Sequence, residues 1–190
     1  KRVLAFFGAF NPPTRAHLQL AKLAMEKTGR EGVIFVPSQS RYIEKEQQKS
    51  FSFSNDERLF MLQLLAAENP WMSVTDWELT QPMQPRTYES LCHLQQADLR
   101  PSLLLGSDKL PELQYEWLFV EDIAREFGIV CLGRGGDEVE QVITSDPYLK
   151  SLEAYIEIVP TPPELQQVSS TKVRGALERL RALRSELEGM

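Results

Sequence analysis

The chain has 190 residues, a length that fits one domain, and its 42% hydrophobic and 25% charged residues are typical of a globular protein. The formal net charge of −6 at pH 7 argues against a protein that coats nucleic acid, and no apolar run approaches the ~20 residues needed to span a bilayer. Cys92 and Cys131 are too few for a disulfide framework, and "KRVLAFFGAFNPP" has too short an apolar stretch for a signal peptide, so we expect a cytoplasmic protein with reduced thiols.

Short apolar runs alternate with helical patterns along the chain, and several runs are continuously apolar, as in parallel strands buried on both faces. We predict strands at Arg2–Phe7, Val33–Val36, Met72–Thr75, Ser102–Leu105, Ile129–Leu132 and Ala154–Val159. We predict helices at Ala16–Lys27, Asn55–Glu68, Thr87–Ala97 and Thr171–Glu188. This alternation predicts an α/β fold, with a doubly wound, mostly parallel, Rossmann-like sheet in a single domain over residues 1–190.

Ligands of such sheets bind beyond the carboxyl ends of the strands, which makes the loops after the strands the candidate site. These loops are residues 8–14, 37–54, 76–86, 106–110 and 133–137. The long polar segment "PSQSRYIEKEQQKSFSFSN" is interpreted as a flap over the site, and a plain solvated loop fits almost as well.

The segment "GAFNPPTRAH" joins the first strand to the first helix. Gly8 allows a sharp turn and a close approach to a ligand, and Pro12 and Pro13 stiffen the loop. Thr14 and His17 are three residues apart and share a face of the first helical turn. The N–H groups of a helix start favour an anion, so a hydroxyl and an imidazole there suit phosphate oxygens. A helix cap and an ordinary histidine are the alternative interpretation.

The segment "VSSTKVRGALERL" opens the last helix and offers the same chemistry. Ser169, Ser170 and Thr171 can cap the helix while presenting hydroxyl groups. Lys172 and Arg174 place positive charge where the helix dipole favours acids, which makes more sense if an anion binds there. A capped amphipathic helix with incidental basic residues is the alternative.

Both segments resemble signatures of the nucleotidyltransferase superfamily with the HxGH motif. The first is similar to G-x-F-x-P-x-[HT]-x-G-H, with Thr14 at the first histidine position and Ala16 in place of glycine. The second is similar to I-S-S-T-x-I/V-R. The resemblance implies catalytic roles for His17 and Thr14. It also implies ATP contacts from both segments, made by Gly8, Phe10, Ser170, Thr171 and Arg174.

Two middle segments resemble the nicotinate/nicotinamide mononucleotide adenylyltransferase branch. "SLLLGSDKL" is similar to its G-x-D element, which implies nucleotide contacts for Gly106 and Asp108, and a simple turn is the alternative. "PRTYESL" is similar to S-Y-T-x-D-T-L, with Arg86 in place of Tyr, and implies that Thr87 contacts the mononucleotide. Trp117 stands near a branch Trp that stacks on the pyridine ring, and a core Trp is the alternative.

The resemblance implies further ATP contacts from basic side chains. Arg134 lies in "LGRGG", which is similar to the family's turn after the fifth strand. Lys45 and Lys49 lie in the polar flap, where the family supplies one lysine to the triphosphate, and spacing does not choose between them. Arg58 and Met61 match a helical R-x-x-M pattern that we interpret as structural.

The resemblance implies an enzyme of NAD biosynthesis that joins the AMP part of ATP to nicotinate or nicotinamide mononucleotide and releases pyrophosphate. The acceptor's phosphate is itself the nucleophile, and Mg²⁺ is expected to accompany ATP. The expected partners are these small molecules, without nucleic acid or membrane, and a homo-oligomer is left open. The alternatives are a pantetheine-phosphate adenylyltransferase, a nucleotide-binding regulator that has lost turnover and, as an improbable case, a flavodoxin-like protein.

Overall fold

One parallel sheet organises the molecule. The computed structural model describes residues 1–42, 52–134, 136–165 and 170–189, and for residues 134, 136–137 and 170–174 it describes the backbone alone. The strands of these ranges are β1 Arg2–Gly8, β2 Val33–Pro37, β3 Met72–Val74, β4 Arg100–Gly106, β5 Ile129–Arg134 and β6 Ile156–Thr161. Their order is β3-β2-β1-β4-β5-β6, and every neighbouring pair is parallel.

Helices connect the strands. The α-helices of the described ranges are α1 Arg15–Thr28, α2 Asn55–Glu68, α3 Trp77–Thr80, α4 Thr87–Gln96, α5 Leu113–Glu116, α6 Val120–Glu126, α7 Gly136–Ser145, α8 Pro147–Leu152 and α9 Ser170–Glu188. Short 3₁₀ helices lie at Ser107–Glu112, Glu153–Tyr155 and Pro163–Leu165. The fold is therefore the predicted doubly wound, Rossmann-like α/β sheet.

The sheet buries an apolar cluster on each face, because successive side chains of a strand point to opposite sides. In β1, Val3 and Ala5 belong to one cluster and Leu4 to the other. Helices α1 and α2 cover the Leu4 face, whereas α4, α6, α7 and α8 contribute to the Val3 face. Burying each large aliphatic side chain stabilises the fold by about 1.5–3 kcal/mol, which explains the continuously apolar strands.

Local capping fixes where the first long helices begin and end. Thr14 caps the start of α1, and Gly29 ends it in the left-handed conformation with φ 66°. Ser54 and Glu57 form a capping box at the start of α2, with hydrogen bonds of 3.1 and 3.3 Å between each side chain and the other's N–H. Both helices therefore begin and end within a residue or so of the prediction.

Four predicted segments differ from the structure. Residues 154 and 155 lie in a 3₁₀ turn rather than at the start of the last strand. The predicted loop 76–86 contains α3, and the predicted loop 106–110 is mostly 3₁₀ helix. The predicted loop 133–137 is shortened from both sides, because β5 continues to Arg134 and α7 begins at Gly136. Short helices need too few turns to leave a clear 3.6-residue period in the sequence.

The strand order has its topological switch point at the carboxyl end of β1, between β1 and β4. The chain continues from β1 to β2 on one side, whereas β4 lies on the other side. The register pairs Phe6 with Leu104, so Gly8 and Gly106 each lie two residues beyond that pair and end neighbouring strands. Open α/β sheets bind ligands where the strand order reverses in this way. The two predicted glycines therefore flank the expected ligand crevice.

Candidate active site

Thr14 and His17 close the first turn of α1 through reciprocal hydrogen bonds. The N–H of His17 donates to Thr14 Oγ1 at 3.4 Å, and the N–H of Thr14 donates to His17 Nδ1 at 2.9 Å. A backbone N–H only donates, so Nδ1 is the accepting nitrogen and the proton of the neutral ring lies on Nε2. Nε2–H is thus the group with which the ring can donate to an anionic oxygen.

Aromatic rings fix the orientation of this imidazole. The ring of Phe10 meets the ring of His17 edge-on, with centroids 5.2 Å apart, and Phe6 lies 6.2 Å away on a similar geometry. Phe10 is only 3% exposed and has φ 45°, in the left-handed region that bulky residues rarely adopt. Such a backbone conformation costs about 1–3 kcal/mol, which burial of the phenyl ring offsets. The buried Phe10 ring thereby holds the His17 ring in its orientation.

Gly8 is needed for a reason that differs from the prediction. The prediction places the sharp turn at Gly8, whereas the left-handed residue of this loop is Phe10. A Cβ on Gly8 would lie 3.2 Å from Cζ of Phe10, closer than ordinary contact. The C=O of Gly8 accepts a hydrogen bond from the N–H of Ser38 at 3.1 Å. Gly8 therefore makes room for the phenyl ring that supports His17.

Arg58 joins the loop after β1 to the loop after β2. Its guanidinium is fully buried and donates to the C=O of Ala9 at 2.6 Å, to the C=O of Ser38 and to Asn55 Oδ1 at 3.0 Å. Burial lowers the pKa of Arg58 to about 10, so the group is still charged at pH 7. The structural interpretation of Arg58 fits this geometry, and its link between two ligand-edge loops could not be seen in the sequence pattern.

Gly106 ends β4, and Asp108 lies in the 3₁₀ helix that follows it. A Cβ on Gly106 would lie 2.6 Å from Asp108 Oδ1, so the glycine allows the carboxylate to fold back over the strand end. Asp108 is exposed there, next to the switch point. Burial, together with the charge of Asp108, raises the pKa of the Cys131 thiol to about 12. Cys131 is therefore a protonated core thiol and is unsuited to act as a nucleophile.

Thr87 and Trp117, the residues predicted to contact the mononucleotide, lie in the connections from β3 to β4 and from β4 to β5. Thr87 is the first residue of α4, which runs antiparallel to the strands in the β3–α4–β4 crossover, so its start lies at their carboxyl ends. Trp117 follows α5 after β4 and is half-buried against the Val3-side cluster. The start of α4, with Thr87, therefore lies at the sheet edge where Gly8 and Gly106 lie. The acceptor contact of Trp117 stays a prediction.

A buried polar network joins α3 to α4, and the sequence did not predict it. The side chain of Glu78, in α3, is 2% exposed, and its carboxyl oxygens accept from Ser90 Oγ at 2.6 Å and from Gln84 Nε2 at 2.7 Å. Burial raises the pKa of Glu78 to about 7 against the opposing effect of these hydrogen bonds. Glu78 lies in "DWEL", and no spacing pattern there marks it as a buried residue.

The family follows from comparison with known proteins. A profile of the cytidylyltransferase-like family matches residues 5–176. The chain belongs to the cytidylyltransferase-like family. The matched range includes the cap on α1, the glycine ends of β1 and β4, and the beginning of α9. In the residues that the structure describes, no helix is long and apolar enough to cross a membrane.

Named relatives cover most of this cytidylyltransferase-like chain. Nicotinamide/nicotinic acid mononucleotide adenylyltransferase of Arabidopsis thaliana is 29% identical over 192 residues, which cover 93% of this chain and 80% of that protein. Probable nicotinate-nucleotide adenylyltransferase of Neisseria meningitidis serogroup A is 29% identical over 93% of this chain and 88% of that protein. Plasmodium falciparum nicotinic acid mononucleotide adenylyltransferase complexed with NaAD has the same fold, with a TM-score of 0.70 and 18% identity over 92% of this chain and 83% of that chain.

Several predicted ATP-binding side chains of the family signature lie outside the described part of the chain. Lys45 and Lys49 fall in residues 43–51, which are not described. Arg134 ends β5, and α9 begins at Ser170, within one residue of the prediction, but only their backbone is described. The roles of Ser170, Thr171 and Arg174 therefore stay predictions.

Proposed function

We propose that this protein is an adenylyltransferase that joins the AMP part of ATP to a pyridine mononucleotide, yielding a dinucleotide and pyrophosphate. The observation that carries the proposal is the Thr14–His17 cap, which places Nε2–H at the start of α1 beside the switch point of the sheet. The adenylyltransferase names of relatives that match 93% of the chain support it. Residues 1–190 would act as one domain, in the cytoplasm.

The reaction would require orientation and charge stabilisation more than covalent chemistry. A phosphate oxygen of the mononucleotide attacks the α-phosphorus of ATP, the new P–O bond forms, and the bond to the bridging oxygen breaks as pyrophosphate leaves. His17 Nε2–H would donate to an α-phosphate oxygen while negative charge builds there, and Thr14 would hold the ring and the triphosphate. No acidic residue lies in the first turn of α1 to repel these phosphates.

The remaining ATP contacts are proposed from the family signature. Ser170, Thr171 and Arg174 would bind the β- and γ-phosphates, with help from Arg134 and from Lys45 or Lys49. The position of Arg134 at the carboxyl end of β5 supports its assignment, since that strand end faces the ligand edge. Gly106 and Asp108 would contact the nucleotides, because a carboxylate next to a strand end can accept ribose hydroxyl hydrogen bonds.

The acceptor would bind between the start of α4 and the loop after α5. Thr87 would contact the pyridine substituent, and the half-buried ring of Trp117 would stack on the pyridine ring, an interaction worth about 1–3 kcal/mol. The names of the relatives include nicotinic acid and nicotinamide forms of the acceptor, so the assay below compares both.

Mg²⁺ would enter with ATP as part of the substrate. Within the described ranges, no three His, Cys, Asp or Glu side chains group closely enough to hold a metal ion. Mg²⁺ would then be bound by phosphate oxygens of ATP and by water. When bound, it would neutralise the charge of the leaving pyrophosphate.

The test is acceptor-dependent release of pyrophosphate. The protein is incubated with ATP and Mg²⁺ and with nicotinate mononucleotide, nicotinamide mononucleotide, phosphopantetheine or no acceptor. We expect release with at least one pyridine mononucleotide and none without an acceptor. Release with phosphopantetheine alone would identify the pantetheine branch, and ATP binding without any release would identify a regulator; either result contradicts the proposal.

A further inference from the structure

The network around Glu78 is a closed set of hydrogen bonds attached to the sheet. Gln39 lies two residues after β2 and is buried, and its side-chain Nε2 donates to the C=O of Glu78 and to the C=O of Gln81, both at 2.8 Å. Its backbone N–H donates to Gln84 Oε1 at 2.7 Å. The amide of Gln84 therefore bridges the backbone of Gln39 and the carboxyl group of Glu78. These hydrogen bonds anchor residues 78–84 to the chain just after β2.

The other carboxyl oxygen of Glu78 extends the network into α4. It accepts from Ser90 Oγ, which is buried on the first turns of that helix. Ser90 lies three residues after Thr87, so the two residues share a face of α4. A continuous path of short hydrogen bonds thus leads from the rigid sheet through Gln39, Gln84 and Glu78 to the helix start that carries Thr87.

A carboxyl group is a costly choice for a buried position whose partners are neutral. The carboxyl oxygens accept from the Ser90 hydroxyl and the Gln84 amide, and neither of these groups supplies a compensating positive charge. An apolar side chain would fill the same space at a lower desolvation cost. What an apolar side chain cannot do is accept from Ser90 and Gln84 at once, and so fix the direction of α4 relative to the loop before it.

We propose that Glu78 is a positioning residue of the acceptor site, which holds Thr87 against the pyridine mononucleotide by tying the first turns of α4 to the loop after β2. The inference rests on the proposed function, because Thr87 is assigned to the acceptor there. Glu78 acts through Ser90 and Gln84 and does not itself touch the substrate.

Substitution of Glu78 should act on the acceptor and spare ATP. Glu78→Ala removes both hydrogen bonds, and we expect it to raise KM for the mononucleotide about tenfold or more, with KM for ATP changed less than about twofold. Glu78→Gln should restore KM to within about threefold of the wild type, because its amide can donate to Ser90 Oγ and accept from Gln84 Nε2. A residue that served stability alone would lower the active fraction and leave both KM values unchanged.

Ser90→Ala tests the same link with a milder change and a matched control. Ser102 is also a buried serine, and its hydroxyl donates to the C=O of Phe127 at 2.8 Å near the start of β4, at the opposite edge of the sheet. We expect Ser90→Ala to raise KM for the mononucleotide about threefold to tenfold, and Ser102→Ala to leave it unchanged. This pair carries the test if Glu78→Ala yields too little folded protein.

A double-mutant cycle with Thr87 decides whether Glu78 acts through that residue. In a Thr87→Ala background, Glu78→Ala should raise KM for the mononucleotide by less than half of its factor in the wild type, because no Thr87 hydroxyl remains to be held. An undiminished factor, or a Glu78→Gln variant as impaired as Glu78→Ala, overturns the inference alone. A wild-type protein that uses neither pyridine mononucleotide overturns the proposed function and this inference together.

Discussion

His17 is the residue on which the proposed chemistry depends most directly. Thr14 fixes its tautomer, and Phe10 fixes its plane. We expect His17→Ala to lower kcat about 10²–10³-fold while KM for the mononucleotide changes little, because the lost donor stabilises charge that develops only during transfer. Steady-state pyrophosphate release measures the effect, with circular dichroism to show that the variant is folded. Full turnover by His17→Ala would contradict the role.

Gly106 and Gly29 allow a paired test of why each glycine is present. Gly106→Ala forces the flexible carboxylate of Asp108 to move from a contact of 2.6 Å, so we expect several-fold weaker nucleotide binding and a stability loss below about 1 kcal/mol. Gly29→Ala meets no atom but keeps φ 66°, so it should cost about 1 kcal/mol and leave nucleotide affinity unchanged. Urea unfolding and nucleotide titration of both variants check this. Equal nucleotide affinities for the two variants would argue against a role of the Gly106–Asp108 turn in binding.

Glu78 predicts how stability changes with pH. Its pKa is about 7 in the folded protein against 4.5 for the free group, so the unfolded chain loses this proton first as pH rises. The free energy of unfolding should therefore fall between pH 4.5 and 7, by an amount on the order of 3 kcal/mol from this group. Glu78→Gln cannot ionise, so its stability relative to the wild type should increase over this range. Denaturant unfolding at pH 4.5 and 8 measures the difference, and parallel pH profiles would refute it.

At the scale of elements, Arg58 keeps two ligand-edge loops together. Replacing it by Leu leaves the carbonyl groups of Ala9 and Ser38 without their donor, and we expect a loss of about 2–4 kcal/mol in unfolding free energy. The loop 8–14 should loosen with it, so KM for ATP should rise in the fraction that still folds. Chemical denaturation and initial-rate kinetics test both effects. The control is Leu64→Ala on the same helix, whose side chain is exposed and should matter little.

Elements with many residues could be predicted from the sequence, and short ones could not. Helix α2 carries its own start and stop signals, and its bounds match the prediction, Asn55–Glu68. Helices α5, α6 and α8 span four to seven residues and owe their conformation to the core that they cover, so no local period reveals them. Helix α7 has ten residues, and its Val139, Val142 and Ile143 follow a helical spacing that the prediction missed. The first residues of the predicted last strand form a 3₁₀ turn because α8 leads directly into it.

In the candidate site, too, local interactions could be predicted from the sequence and long-range ones could not. Thr14 and His17 could be predicted because their interaction is local, within one helical turn. The left-handed conformation of Phe10 and the network of Glu78 depend on residues far away in the chain, such as Phe35 and Gln39. Long-range contacts of this kind are set by packing and leave no spacing pattern in the sequence.

At the scale of the whole molecule, the strand order is what joins distant motifs. The sequence predicts alternating strands and helices, but several orders of a doubly wound sheet are compatible with that alternation. The observed order brings the loop after β1 and the loop after β4 side by side, although about 100 residues separate them in the chain. Gly8 and Gly106 thereby lie at the ends of neighbouring strands, on either side of the switch point.

The reciprocal cap of α1 couples the folding of the first helical turn to the orientation of the His17 ring. The bond from the Thr14 N–H to Nδ1 both completes the first turn of the helix and directs the ring proton to Nε2. Fraying of that turn would release the orientation and the tautomer of the His17 ring while the sheet stays folded. On heating, such local opening precedes global melting. Under the proposed role of His17, we expect activity to be lost at a lower temperature than the circular dichroism signal of the sheet.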